Sequence, residues 1–263
     1  MRNFTFKGLF LTAVFMLLGC LTIQAADDYL ITKQITIKLE EAGTLPNKIG
    51  SSKKYLITNL KIVGEVNGTD WKMIREMLGY NLSVLDLSEA KIVEGGDYYY
   101  NDYPYNNYSY TSNDEIGDYA FSFCSRLTSL TLPAGITSIG DYAFSLCSGL
   151  TSLNLPAGIT SIGKYAFQGC SGLTSINLPA GITEIGEGAF SECSGLTSLN
   201  LPAGITKIGE GAFSECSGLT SLNLPAGITW IGERAFMDCS GLTSINLPDG
   251  ITSINYGAFY NCI

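Results

Sequence analysis

Carboxylates recur at Glu192, Glu215 and Asp238, 23 residues apart each time. If successive copies lie side by side at strand spacing, about 5 Å, two of them have the separation of a retaining glycosidase pair, and their oxygens could also hold calcium. Thiols recur on the same spacing at Cys124, Cys147, Cys170, Cys193, Cys216, Cys239 and Cys262. A third set is Tyr98, Tyr99, Tyr100, Tyr103, Tyr105, Tyr108 and Tyr110, set among Asn, Asp, Ser and Gly. Rigid amphipathic rings with small polar neighbours are the composition of adaptable recognition loops, and it also suits stacking on carbohydrate. The chain has no His, and it carries neither a Gly-rich phosphate loop nor a metal-binding motif. What each set can do depends on the elements that position it.

Those elements come from one repeated unit. Leu127-Thr-Ser-Leu-Thr-Leu-Pro-Ala-Gly-Ile-Thr-Ser-Ile-Gly-Asp-Tyr-Ala-Phe-Ser-Leu-Cys-Ser-Gly149 restarts at Leu150, Leu173, Leu196, Leu219 and Leu242. A fixed period of this length headed by Leu-x-x-Leu-x-Leu predicts a leucine-rich-repeat solenoid. The constant apolar positions (Leu127, Leu130, Leu132, Ile136, Ile139, Ala143, Phe144 and Cys147 in the first full unit) cannot be buried by one coil, which has no opposite wall. Stacking turns them into columns. Ser-Leu-Thr-Leu alternates and predicts one short strand per coil, ended by Pro133 and its copies. Ile136–Gly140 predicts a second extended piece, and residues 141–147 a short helical turn.

On that frame the carboxylates fall on an outward, solvated face with nothing to raise a pKa, so the enzyme reading is weak. Disulfides are disfavoured because parallel stacking at about 4.8 Å is wider than the Cβ separation they need, and seven thiols are odd in number. Nor do the thiols converge as zinc ligands. The expectation is buried free thiols acting as small hydrophobes, with Cys262 less covered. The outward strand positions carry Ser129 and its copies, then Thr131 followed by Asn154, Asn177, Asn200, Asn223 and Asn246, an Asn column able to bond to itself. Trp230 stands at a position that is small or charged in the other coils, which predicts an exposed contact residue.

The pattern Leu-x-x-Leu-x-Leu-Pro-x-x-Ile-x-x-Ile-Gly-x-x-Ala-Phe-x-x-Cys resembles the BspA-like, or treponemal, class of leucine-rich repeats. The likeness is close over residues 114–263, and residues 55–92 resemble the family's amino-terminal cap. The resemblance implies an α/β repeat solenoid: a right-handed, curved rod with short parallel strands on its concave face and a small α+β N-terminal cap. It also implies a bacterial cell-surface or secreted protein that binds a host extracellular-matrix or cell-surface protein or a glycan. The family is defined by scaffold residues, so no binding residue carries over.

The rest of the chain fits a scheme of a leader at 1–25, a cap at 26–81 and a solenoid at 82–263. Arg2 and Lys7, the apolar run Leu9–Leu18 and Ile23-Gln24-Ala25 read as an export signal. Leu17-Leu18-Gly19-Cys20 offers the alternative of a lipoprotein signal with Cys20 acylated, the one route to a membrane in this sequence. In the cap, Gln34–Lys38 and Tyr55–Gly64 predict strands. Residues 71–78 predict an amphipathic helix capped by Thr69 or Asp70 and ended by Gly79, with Trp71 as core. A divergent first repeat begins at Leu82 and is interrupted by an insertion at about 93–113 that holds the tyrosines. The formal charge is −9, with 15 basic and 24 acidic side chains, which argues against nucleic acid. No cofactor is expected. The chain stops at Ile263 without a polar closing coil, which raises self-association through a strand edge as an alternative. A glycan-binding accessory protein is a further one.

Overall fold

The 23-residue period becomes spatial stacking. The computed structural model describes residues 29–262, and the leader readings, Cys20 among them, lie outside the described residues. Each strand such as Ser129–Thr131, Ser152–Asn154 or Ser175–Asn177 points its middle side chain inward and its outer two to solvent. Neighbouring copies pair parallel and in register, Leu153 beside Ile176 and Leu222 beside Ile245. A second parallel ladder joins two-residue strands, with Ile185 beside Ile208 and Ile208 beside Ile231. Both ladders are parallel because the chain travels the same way round every coil. The result is a parallel-strand leucine-rich-repeat solenoid with few helices.

Inside it the columns are as the spacing requires. The rings of Phe121, Phe144, Phe167, Phe190, Phe213, Phe236 and Phe259 stack at centroid separations of 5.0–5.6 Å, within 11° of parallel. Burial of each large apolar side chain contributes about 1.5–3 kcal/mol, and offset aromatic pairs add about 0.5–1.5 kcal/mol. The last Leu column is less evenly covered: Leu132 and Leu224 are buried, Leu155, Leu178 and Leu201 half-buried and Leu247 exposed.

Residues 141–147 do not form the expected helical turn. The segment and its copies are successive tight turns in which two residues per coil hold positive φ: Tyr119, Tyr142, Tyr165, Gly188, Gly211, Arg234 and Gly257 in one column, Phe123, Leu146, Gly169, Glu192, Glu215, Asp238 and Asn261 in the other. Left-handed backbone costs a non-Gly residue free energy and persists only where the surroundings impose it. Here the imposition is a third inter-coil ladder. Tyr119, Phe121 and Phe123 donate their N–H groups to the carbonyls of Asp141, Ala143 and Ser145 at 2.9, 2.7 and 2.8 Å, and the same three bonds recur at each later junction. Alternate N–H groups bond back within the coil, as Ser122 does to the Tyr119 carbonyl at 3.1 Å.

Among the described residues the seven thiols are free, six of them buried and Cys262 half-buried. They do more than fill space. From Cys147 onward each Sγ donates to the carbonyl of the Phe 26 residues earlier, at 2.9–3.1 Å. The expected Asn–Asn bonds are not among the hydrogen bonds of the described residues. Thr supplies that ladder instead, Thr174 Oγ1 donating to the Thr151 carbonyl at 3.2 Å and Thr229 Oγ1 to that of Thr206 at 3.3 Å.

The cap continues the solenoid rather than lying across it. β1 (Ile35–Lys38), β2 (Asn59–Val66) and β3 (Val84–Ile92) form one parallel sheet with Ser129–Thr131, in that order. The expected strand start at Tyr55 is displaced because Lys53–Tyr55 is a 3₁₀ turn, with Lys54 Nζ and Tyr55 Oη both on Glu76. A short helix α1 (Leu45–Lys48) precedes it, and α2 (Gly68–Leu78) follows β2. The helix cap is Asn67, not Thr69 or Asp70: Asn67 accepts from Thr69 N, and Asp70 accepts from Asn67 N, closing a capping box. Asp70 is fully buried and also accepts from Gly43 N at 2.6 Å and Leu45 N at 2.8 Å, tying α1 to α2. Among the described residues no helix is long and apolar enough to cross a membrane.

Burial raises the thiols from an ordinary value of 9.0 to about 11 at Cys124 and about 12 at Cys170 and Cys239. Their folded pKa lies above the unfolded one, so the unfolded chain binds fewer protons once pH exceeds about 9. Stability is therefore full below that pH and falls as pH rises through the folded values, by up to about 1.4 kcal/mol per unit for each thiol. Urea unfolding at pH 6.5, 7.5 and 10.5 should show midpoints nearly constant between the first two and sharply lower at the third. A Cys170→Ala protein should lose less over the same interval.

Candidate functional site

The tyrosine-rich insertion is the surface feature that the repeat does not explain, and the structure gives it order. Its base is fixed to the start of α2: Gly68 N donates to the Gly95 carbonyl at 2.9 Å, and Asp97 N to Thr69 Oγ1 at 3.1 Å. Gly96 must be glycine, with φ +74 and the Asn67 side chain and Thr69 N where a Cβ would stand. From that base rises an antiparallel hairpin of β4 (Tyr100–Asp102) and β5 (Asn107–Ser109), with Tyr100 opposite Ser109 and Asn101 opposite Tyr108. Asn106, at φ 55, closes the tip.

The seven tyrosines divide into three groups. Tyr103 and Tyr105 at the tip are 83% and 75% exposed. Tyr98, Tyr108 and Tyr110 are exposed along the hairpin and meet one another, Tyr98 lying 4.8 Å from Tyr108 and 6.5 Å from Tyr110, both edge to face, with Lys72 Nζ 4.8 Å over Tyr98. These five remain available for contact. Tyr99 is buried, and Tyr100 is half-buried between Arg75 at 4.8 Å and the Tyr119 ring at 4.5 Å. Tyr99 is therefore a core residue and leaves the contact set.

Its burial has a chemical reason. At every later junction the carbonyls of Asp141, Ala143 and Ser145 or their copies accept from the coil before. The first coil has none before it, so its equivalents must find other donors or remain unpaired. Tyr99 Oη donates to the Asp118 carbonyl at 2.8 Å. Trp71 Nε1, at 3.3 Å, and Arg75, at 2.8 Å, donate to that of Ala120. Cys124 Sγ turns to that of Ser122 at 3.7 Å. The Trp71 ring also covers the first Phe, 5.4 Å from Phe121. One tyrosine of the insertion thus caps the hydrogen-bond ladder while five face outward.

Of the other candidate residues, Trp230 departs from expectation and the carboxylates do not. Trp230 is half-buried rather than exposed, flanked in its ladder by Lys207 and Ser253. Glu192 and Glu215 are exposed and Asp238 half-buried, on the rim of an open groove of about 670 Å³ with Phe123 and Leu146 at its other end. Glu192 accepts from Gln168 at 3.0 Å and Asp238 from Asn261 at 2.6 Å, so these carboxylates are solvated and separately bonded rather than paired. Among the described residues no group of three or more His, Cys, Asp or Glu is placed to hold a metal ion.

The column of Tyr119, Tyr142 and Tyr165 was not singled out from the sequence. With Tyr100 it makes a second aromatic ladder on the surface, at 4.5, 5.0 and 5.1 Å. Partial burial raises Tyr119 and Tyr165 to about 12, Tyr165 also donating to Glu187 at 2.9 Å, and both stay neutral. Tyr at residues 119, 142 and 165 was the available signal.

Comparison with known proteins bears on the scaffold. A model described as a BspA type leucine-rich repeat region matches six copies over residues 95–217 and 160–263, more than half of the chain. A leucine-rich repeat protein of Bacteroides ovatus is 24% identical over 88% of this chain and 59% of its own, with a TM-score of 0.51. One from Eubacterium ventriosum is 23% identical over 80% and 61%, with a TM-score of 0.54. The leucine-rich repeat protein of T. pallidum is 36% identical over 52% of this chain and 64% of its own, with a TM-score of 0.47. The chain thus spans about three fifths of the length of these solved structures. No curated protein matches it.

Replacing Tyr99 by Phe should cost about 0.5–1.5 kcal/mol in urea unfolding, because the Asp118 carbonyl loses its part-buried donor. Tyr103→Ser and Tyr105→Ser, at the tip, should change stability by no more than about 0.5 kcal/mol.

Proposed function

The chain belongs to the BspA-type leucine-rich-repeat family, and on that premise we propose that it is an exported, non-catalytic binding protein of the bacterial surface that recognises a host or neighbouring-cell protein or glycan. The observation that carries this reading is the hairpin. Five exposed tyrosines stand on a two-stranded element whose base is bonded to α2 and whose core tyrosine is bonded to the first coil. Tyrosine supplies large contact area for two rotatable bonds, and a rigid mount lowers the ordering cost of binding. The leader-like residues 1–25 support location outside the cytoplasm.

The same surfaces support a non-catalytic role. A general acid needs a desolvated carboxyl, and Glu192 and Glu215 are in water. The Ser and Asn side chains along the strand face are exposed but carry neither aromatic anchors nor charge.

Binding of the purified protein to a panel of matrix proteins and glycans, read by surface plasmon resonance, is the test. A variant with Tyr98, Tyr103, Tyr105, Tyr108 and Tyr110 changed to Ser should bind at least tenfold more weakly than the parent while unfolding at nearly the same urea concentration. Undiminished binding by that variant would move recognition off the hairpin, and no binding by the folded parent to any panel member would contradict the proposal.

A further inference from the structure

The surface tyrosine ladder stops short, and the place where it stops is a built cavity. Its column reads Tyr119, Tyr142, Tyr165, Gly188, Gly211, Arg234, Gly257, one residue per coil. All seven residues share the left-handed conformation, φ 51–62, so the backbone that carries the rings continues unchanged past the last of them. Tyr165 leans over Gly188, where its ring occupies the space a Cβ would need. Beyond that, Gly211 looks into open space, the nearest atom to a Cβ there being Ser214 Oγ at 3.8 Å. With the space over Gly188 filled by Tyr165, the open ring position before Arg234 is the one at Gly211.

The vacancy forms a slot of about 180 Å³ floored by Gly188 and Gly211, with Tyr165 at one end and Arg234 at the other. Its walls are mixed: polar at Gln168, Ser191, Glu192, Glu210 and Ser214, and apolar at Met237. Ser191 is 5% exposed, and its Oγ has no hydrogen-bond partner. Of the two serines of this column with unpartnered hydroxyls, Ser122 and Ser191, it is Ser191 that lines this slot. A buried hydroxyl without a partner costs free energy that a ligand or water would recover. Tyr165 is held in place, its hydroxyl on Glu187 at 2.9 Å and Glu187 on Lys164 at 3.0 Å.

We propose that this slot binds a single sugar ring, stacked on Tyr165 as the next member of the ladder. The volume is below the about 300–1,000 Å³ of drug-sized sites and suits one ring. The chemistry is two-sided in the way a pyranose is. The tyrosine face receives the C–H face of the ring, while Glu210 and Glu192 accept from its hydroxyls and Arg234, Ser191 and Gln168 donate to them. Two acids, Glu192 and Glu210, line the slot against one cation, Arg234, a balance that favours a neutral ring over an anionic ligand. The site is separate from the tyrosine hairpin and does not depend on the role proposed for it.

The test is saturation-transfer NMR with the methyl β-glycosides of glucose, galactose and N-acetylglucosamine, with N-acetyl-tyrosinamide as the competing flat ligand. At least one glycoside should receive saturation at its ring C–H protons. Gly211→Tyr fills the slot by extending the ladder in a conformation the column already gives to Tyr119, Tyr142 and Tyr165, and it should weaken that signal at least tenfold. Glu210→Ala, at an exposed position that cannot disturb the core, should weaken it at least threefold and secures the test should Gly211→Tyr fail to fold. The hairpin serine variant should keep the signal in full. No transfer to any glycoside, a signal unchanged in Glu210→Ala or in folded Gly211→Tyr, or preferential binding of N-acetyl-tyrosinamide would overturn the proposal.

Discussion

Every coil of this protein is incomplete on its own, and the structure depends on the junction between neighbours. A single coil leaves its Phe, Leu and Ile side chains without an opposite wall and half its turn N–H groups without acceptors. Both deficits are met by the next coil at once: a stacked ring about 5 Å away and three N–H···O bonds of 2.7–3.0 Å. Because the apolar and polar complements arrive together, a repeat can afford two left-handed residues that would otherwise strain it. The same coupling makes stability a nearest-neighbour property, in which the ends are the weak points.

That view explains the design of the N-terminal region. Its sheet extends the first strand ladder by three strands, and its helix supplies Trp71 and Arg75 where the turn ladder has no predecessor. The insertion contributes Tyr99 to the same task. A segment that looks like decoration is thus bonded into the cap, and this gives its exposed tyrosines a fixed mount. One excursion of the chain both helps to terminate the solenoid and presents exposed rings.

The periodic part of this was legible in the sequence. The 23-residue spacing fixed the columns, and with them the buried thiols and the exposed carboxylates. The turn ladder was harder to read, because Tyr, Leu, Glu and Arg do not announce positive φ; the signal was Gly169, Gly188, Gly211, Gly257 and Asn261 exchanging with them in the same columns. Tyr99 could not be told from its six neighbours by residue type, since its fate rests on the Asp118 carbonyl brought to it by the cap. Asn154 and its copies suggested a side-chain ladder that Thr provides instead, a Thr hydroxyl one bond from the backbone reaching the carbonyl of the coil before. Trp230 stood out as the odd residue of its column, yet its size lets it lie against its ladder neighbours instead of standing free.

The turn segments act as a true inter-coil ladder, and amide hydrogen exchange reads it directly. The N–H groups of Phe144, Phe167 and Phe190 should exchange as slowly as those of Leu153 and Ile176 in the strands. The Tyr99 N–H, bonded to the Ser109 carbonyl at 2.9 Å, should be protected with the cap. Fast exchange at the Phe amides, with the strand amides still protected, would contradict the account and leave the apolar columns alone to hold the coils together.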